Sequence, residues 1–230
     1  PQRDLTERRP VMDAATRPHW PKSGATAGIV SAVLLIISFF VFGEPPAVDA
    51  SGDELAAFLV DQRTAGLIAV LLGAIAVPLF GVFASGMRKR FEQSVGAELA
   101  GMAAVSGMLY WLINVTTTAV FFGASWIDGD AHAATPEVAQ TLWSSANALL
   151  AMSSPLAALY LAVAAAAGLR GALPKWLGWA TAVIAAIALL GVLGVVAPDL
   201  TAFTFFASVL FALWMILTNA LTFSQRTQEP

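Results

Sequence analysis

Six long stretches of this chain contain no charged residue, and they constrain the fold more than any other feature. Each has about 20 residues or more, the length an α-helix needs to cross a hydrocarbon core about 30 Å thick. They are residues 24–43, 64–87, 99–127, 138–169, 176–198 and 200–225. Only 12% of all residues are charged, against about 25% in typical soluble domains. The sequence therefore predicts an all-α fold, a polytopic bundle of six transmembrane helices.

The same stretches divide the chain into a polar tail and one membrane domain. Residues 1–23 carry mixed charge together with Pro10, Pro18 and Pro21, and we predict a cytoplasmic tail without fixed structure. Residues 24–226 form the membrane domain, with spans predicted at about 24–43, 64–87, 99–126, 138–169, 176–197 and 201–225. The first span is too long for the apolar region of a signal peptide, about 7–15 residues, which disfavours cleavage.

The basic residues predict the orientation of the bundle. If both termini are cytoplasmic, Arg63 is the one basic residue on the outer side. The inner side then holds Arg3, Arg8, Arg9, Arg17, Lys22, Arg88, Lys89, Arg90, Arg170, Lys175 and Arg226. Cytoplasmic loops are enriched in Lys and Arg, so this arrangement is favoured over its inverse. We expect a multi-pass protein with both termini in the cytoplasm.

The charge-free spans exclude several classes of function. Proton relays, voltage sensors and ion-coupled carriers need ionisable side chains at depth, and the predicted spans have none. Both histidines, His19 and His132, lie outside the spans, and the chain has no cysteine, which excludes intramembrane bis-His haem and thiolate metal sites. The basic inner rim is explained by topology, so no nucleic-acid partner is predicted. We expect no cofactor and no enzymatic activity.

Neutral polar residues recur at helical spacing in three spans, with Trp111 and Trp214 beside them at depth. The stripes are Ser106, Tyr110, Asn114 and Thr117 in the third span, Asn147, Ala151 and Ser154 in the fourth, and Thr204, Ser208, Phe211, Met215 and Asn219 in the sixth.

Two interpretations of these stripes are open. In one, the polar side chains form contacts between helices, worth about 0.6 kcal/mol each on average. In the other, they converge on a ligand pocket near mid-depth with an aromatic wall. The candidate ligand-binding residues are Tyr110, Trp111, Asn114, Thr117, Asn147, Ser154, Trp214 and Asn219.

Other candidate chemistry is weaker. Asp128, Asp130 and His132 in the second outer loop offer oxygen and nitrogen ligands, but their spacing fits no established metal site, and solvated loop residues are the better interpretation. The pair Ser153 and Ser154 has no base within helical reach, and no nucleophile elbow or phosphate-binding loop occurs.

Local signals predict finer features. Ser51 and Glu54 match a capping box, which predicts a helix start in the first outer loop. Pro78 and Pro155 are expected to kink their spans or free a backbone carbonyl. A stripe of small residues, Gly24, Gly28 and Ala32, allows close approach of a neighbouring helix in the bundle. The very short turn near residue 199 makes spans five and six adjacent neighbours.

The turn into the fifth span carries a family resemblance. Residues 171–179 read Gly-Ala-Leu-Pro-Lys-Trp-Leu-Gly-Trp. This segment resembles the Leu-Pro-basic-Trp-Leu-Gly segment of uncharacterised six-span integral membrane proteins common in actinobacteria. The resemblance implies a bacterial plasma (inner) membrane protein, and it implies no ligand or catalytic residue.

Three functions follow as hypotheses. The first is a non-enzymatic bundle that binds a lipid or apolar small molecule, or acts as an accessory subunit of a membrane complex. The second is a small-solute permease working by facilitated diffusion, with Pro78 and Pro155 as flexible points. The third is a metal-dependent membrane enzyme. Expected partners are membrane lipids and a partner membrane protein or a second copy of the chain.

Overall fold

The computed structural model describes residues 22–41, 43–123, 135–197 and 200–224. Within these ranges the chain forms seven α-helices and a 3-10 turn, and no strand. The helices are α1 Lys22–Phe40, α2 Gly52–Asp61, α3 Arg63–Val95, α4 Ala97–Gly123, α5 Pro136–Leu169, α6 Lys175–Leu190 and α7 Thr201–Ser224. All except α2 are long and apolar enough to cross a membrane. The predicted all-α bundle with six spans is confirmed.

The six long helices form a closed antiparallel ring in chain order. Each contacts the next, and α7 contacts α1 to close the ring. Cross-helix contacts run in opposite sequence directions. On α1 and α3, Ser31 bonds to the carbonyl of Ala76, whereas Gly28, earlier in α1, lies against Phe83, later in α3. The start of α1 and the end of α7 therefore lie at one end of the bundle, the terminal face; the opposite end, which carries α2, is the α2 face.

The outer surface of the bundle is apolar, unlike that of a soluble helical bundle. Large apolar side chains point outward on every long helix; Val105 of α4 and Val183 of α6 are both 60% exposed. Buried polar side chains point inward, among them Ser31, Asn114 and Asn219. A hydrocarbon solvent accepts the outward apolar surface and rejects unpaired polar groups. The six apolar helices and this surface identify an integral membrane protein.

Helix α2 begins where the capping box predicts. The Ser51 Oγ accepts from the backbone N–H of Glu54, and the Glu54 carboxylate accepts from the backbone N–H of Ser51 at 2.9 Å. That backbone donation, followed by a donation from the Ser51 hydroxyl to the carboxylate at 3.1 Å, lowers the pKa of Glu54 below its usual value, because both bonds stabilise the charged carboxylate. The predicted capping box is confirmed.

An apolar cluster holds α2 against the bundle. The buried Leu55 and Leu59 pack with Phe121 and Phe122 at the end of α4. In the same region the indole N–H of Trp143, on α5, donates to the carbonyl of Ala47 at 3.1 Å. The α2 face is thus covered by a short amphipathic helix.

Two helices end at residues other than the predicted span ends, because the backbone geometry there sets where each helix stops. Helix α3 runs well past residue 87 to Val95 and stops at Gly96, whose φ of 90° is in the left-handed region that favours glycine. Helix α6 ends earlier, at Leu190, and the chain tightens into the 3-10 turn Gly191–Val195. Pro78 and Pro155 are exposed, and helices α3 and α5 continue through them without a break. Helices α6 and α7 are in contact, as the short turn between them predicts.

Candidate functional site

The centre of the bundle is a cluster of stacked aromatic rings. Phe211 of α7 is fully buried at its middle. The ring centroids around it lie 5.0–6.0 Å away and belong to Phe80, Tyr110, Trp111, Tyr160 and Trp214. Such separations are the offset and edge-to-face contacts that aromatic rings prefer. Four helices, α3, α4, α5 and α7, therefore meet in one solid aromatic core.

Glycine residues let the helices pack closely around this core. A Cβ on Gly107 of α4 would lie 2.7 Å from Cδ2 of Tyr160 and 2.9 Å from Cζ of Phe80. On the terminal side, a Cβ on Gly28 of α1 would overlap the amide of Asn219. The small-residue stripe on α1 thus packs within the same bundle. Glycine allows α1 and α4 to lie directly against large neighbours.

Hydroxyl groups fasten α4 and α5 to α7. The single proton of the Ser208 hydroxyl goes to the carbonyl of Thr204 at 2.8 Å, so the phenol of Tyr110 donates to Ser208. By the same reasoning, Ser154 donates to the hydroxyl of Thr204 at 2.9 Å, and Thr204 donates to the carbonyl of Gly191 at 3.3 Å. Both chains of hydrogen bonds end on backbone carbonyls.

A third chain joins α4 to α5. The amide of Asn114 donates to the carbonyl of Tyr110 at 2.8 Å and to the hydroxyl of Ser153 at 3.3 Å, and Ser153 donates to the carbonyl of Leu150. These donations fix the amide orientation, because a reversed amide would turn its oxygen toward a carbonyl. The Asn114 Oδ1 has no hydrogen-bond partner among the described residues.

The structure buries seven of the eight predicted pocket residues. Tyr110, Trp111 and Trp214 share the aromatic core, and Asn114 lies one turn along α4 from Tyr110. Ser154 lies at the contact between α5 and α7, where its hydroxyl is hydrogen-bonded to that of Thr204. Thr117 lies nearer the α2 face, Asn219 lies nearer the terminal face, and Asn147 is partly exposed and donates to the carbonyl of Trp143. The eight residues therefore belong to several layers of the bundle.

Space beside these residues is small. A cavity of about 10 Å³ lies between α1, α3 and α4, next to Trp111 and Asn114. Pockets for drug-sized ligands measure about 300 Å³ or more. The cavity is large enough for about one water molecule.

Several buried polar atoms have no hydrogen-bond partner among the described residues. They include Trp111 Nε1, Asn114 Oδ1, Thr117 Oγ1, Tyr160 Oη, Trp214 Nε1 and Asn219 Oδ1. An unpaired buried polar group costs about 1–3 kcal/mol. Such groups are the places where a partner molecule gains most, and Trp111 and Asn114 are among the residues that line the cavity.

Two important residues carry weak sequence signals. Ser31 holds α1 to α3 through the carbonyl of Ala76, although it stands alone as a hydroxyl beside the small-residue stripe. Tyr160 stacks on Phe211 at 5.0 Å, but its neighbours in α5 are alanine, leucine and valine, with no other polar side chain among them. Both gain importance from helices distant in sequence. Phe80, also at the core, is one of many phenylalanines in the chain.

The described residues at the ends of the bundle offer little for catalysis or metal binding. At the terminal face, the Arg170 guanidinium donates to the carbonyl of Ser94 at 3.2 Å, which ties the end of α5 to the end of α3. Asp128, Asp130 and His132 lie outside the described residues. Within the described part of the chain, no group of three His, Cys, Asp or Glu side chains could hold a metal ion.

Comparisons with known proteins give no further guide: no family model, no curated protein and no solved structure matches this chain.

Proposed function

We propose that this protein is a non-enzymatic accessory subunit of a membrane complex. The observation that carries the proposal is the aromatic core around Phe211, whose contacting rings occupy the space where α3, α4, α5 and α7 meet. The hydroxyl chains that end on backbone carbonyls join helices to one another. A bundle built in this way acts through its outer surface, on lipids and on a partner membrane protein or a second copy of the chain.

We favour the accessory role over a second candidate function, the binding of a lipid or apolar small molecule inside the bundle. A ligand inside the ring would have to displace rings such as Phe211 or Trp214, which contact each other at 5.9 Å. Permeation meets the same obstacle, because a solute path along the axis crosses the aromatic core. The packing interpretation of the polar stripes therefore has the better support.

We also propose that the protein lies in a bacterial plasma membrane with its terminal face in the cytoplasm. The distribution of basic residues supports a terminal face in the cytoplasm, where Arg88, Lys89, Arg90 and Arg170 lie. The resemblance of residues 171–179 to actinobacterial six-span proteins supports a bacterial plasma membrane.

Native mass spectrometry of the protein released directly from membranes tests the proposal. We expect complexes that contain a second membrane protein or more than one copy of the chain, together with bound lipid. A monomer free of protein partners under the mildest release conditions would contradict the accessory role.

Liposome flux assays separate the runner-up from the proposal. We expect flux of small solutes equal to that of protein-free vesicles. Flux above that level, reduced when Ser154 is replaced by Phe, would favour a permease and contradict the proposal.

A further inference from the structure

Four of the residues that line the cavity between α1, α3 and α4 carry polar side-chain groups. Its polar lining consists of Ser38 of α1 with Trp111, Asn114 and Thr118 of α4, and Ala69 of α3 forms part of the apolar wall. Trp111 is fully buried, and Asn114 is 4% exposed. The cavity measures about 10 Å³.

The donors and acceptors at this cavity can be assigned. Ser38 donates its proton to the carbonyl of Leu35 at 2.7 Å, and Thr118 donates its proton to the carbonyl of Asn114 at 3.1 Å. Both hydroxyl oxygens can then only accept. The Asn114 Oδ1 is an acceptor, and the Trp111 Nε1–H is a donor; neither has a partner among the described residues. The set is one donor and three acceptors.

We propose that this cavity binds a single water molecule as an integral part of the fold. Water accepts the indole N–H of Trp111 and donates one proton to Asn114 Oδ1. Its second proton goes to a hydroxyl oxygen of Ser38 or Thr118. A buried water needs about 10–15 Å³ and two to four polar partners, and the cavity meets both requirements. An apolar guest would leave both unpaired groups of α4 unsatisfied.

The site has a structural consequence that is independent of the accessory role. Helices α1 and α4 are not consecutive in the ring, but they meet where the ring of Phe39 lies 6.2 Å from the ring of Trp111. A water bonded to Ser38 and to Trp111 adds a polar link between these two helices beside that ring contact. The ring is thereby tied across its interior between the aromatic core and the α2 face.

Solution NMR on the full chain with ¹⁵N-labelled indoles tests the proposal. We expect a cross-peak between the indole proton of Trp111 and a long-lived water. The matched control is Trp214, whose Nε1 is equally buried and unpartnered but lies outside the lining of this cavity. The variants Trp111→Phe and Trp214→Phe each remove one indole signal and so assign both.

A water cross-peak at Trp111 and none at Trp214 is the expected result. Its absence at Trp111, while exposed Trp179 shows one, would overturn the proposal. A diffraction map of the wild-type chain in lipid is a second test, and it needs no variant. It should show a density peak about 2.7–3.2 Å from both Trp111 Nε1 and Asn114 Oδ1. A map with ordered waters elsewhere and none here would also overturn it.

Discussion

Replacing Phe211 by alanine tests whether the aromatic core supplies the stability of the bundle. The change removes the ring at the centre of five aromatic contacts from a fully buried position. A cavity of about 100 Å³, at about 24 cal/mol per Å³, costs about 2.4 kcal/mol if the neighbours stay in place. Soluble proteins lose more, about 3–5 kcal/mol, because the ring also leaves water on folding. Lipid is as apolar as the core, so that transfer contribution is absent here.

Phe206→Ala on the same helix is the matched control, since Phe206 is 59% exposed on the outer surface. Substitutions away from the core usually change stability by less than about 0.5 kcal/mol. The assay is reversible unfolding in mixed micelles, followed by far-UV circular dichroism. We expect Phe211→Ala to lower the free energy of unfolding by about 2–3 kcal/mol. Equal losses for the two variants would refute the reasoning.

Three further perturbations test particular contacts. Gly107→Ala should destabilise the bundle by about 1–3 kcal/mol through overpacking, whereas Gly101→Ala, in open space on the same helix, should be neutral or stabilising in the same unfolding assay. Ser154→Ala should cost about 0.6 kcal/mol, because it removes one hydrogen bond between α5 and α7; a loss several times larger would contradict a simple packing contact. Ser51→Ala should raise the pKa of Glu54 toward its usual value, measured by carboxyl NMR titration. In the wild type that pKa is lowered on folding, so the contribution of the cap is present above the usual Glu pKa and is lost as the pH falls through the lowered value.

The sequence predicted the number and order of the helices because charge and apolar length decide both. Residues 88–90 are basic and end the charge-free stretch, but they leave the helix intact, so α3 continues to Gly96. A hydropathy pattern locates the hydrocarbon region and says little about where a helix stops in water. The capping box at Ser51 was predictable for the opposite reason, since all its bonds are local.

The candidate site was predictable in composition but not in layout. Spacing along α4 correctly placed Tyr110 and Asn114 on one buried face. It gave no information on depth, so Asn219 was grouped with Asn114, although Asn219 lies beside Gly28 on the terminal side of the aromatic core. The partners Ser208 and Ser153 come from other helices, and their pairing depends on the ring order. Whether the eight residues bind a ligand stays a prediction.

Labelling of single cysteines at the two ends of the bundle tests most directly whether the ring of helices spans the membrane. The chain contains no cysteine, so Ala57→Cys on α2 and Gln93→Cys near the end of α3 each introduce a single reactive thiol at an exposed position. With a membrane-impermeant maleimide, Ala57→Cys should react on intact cells, and Gln93→Cys should react only after the membrane is opened. Reaction of both thiols on intact cells would contradict a ring of helices that spans the membrane.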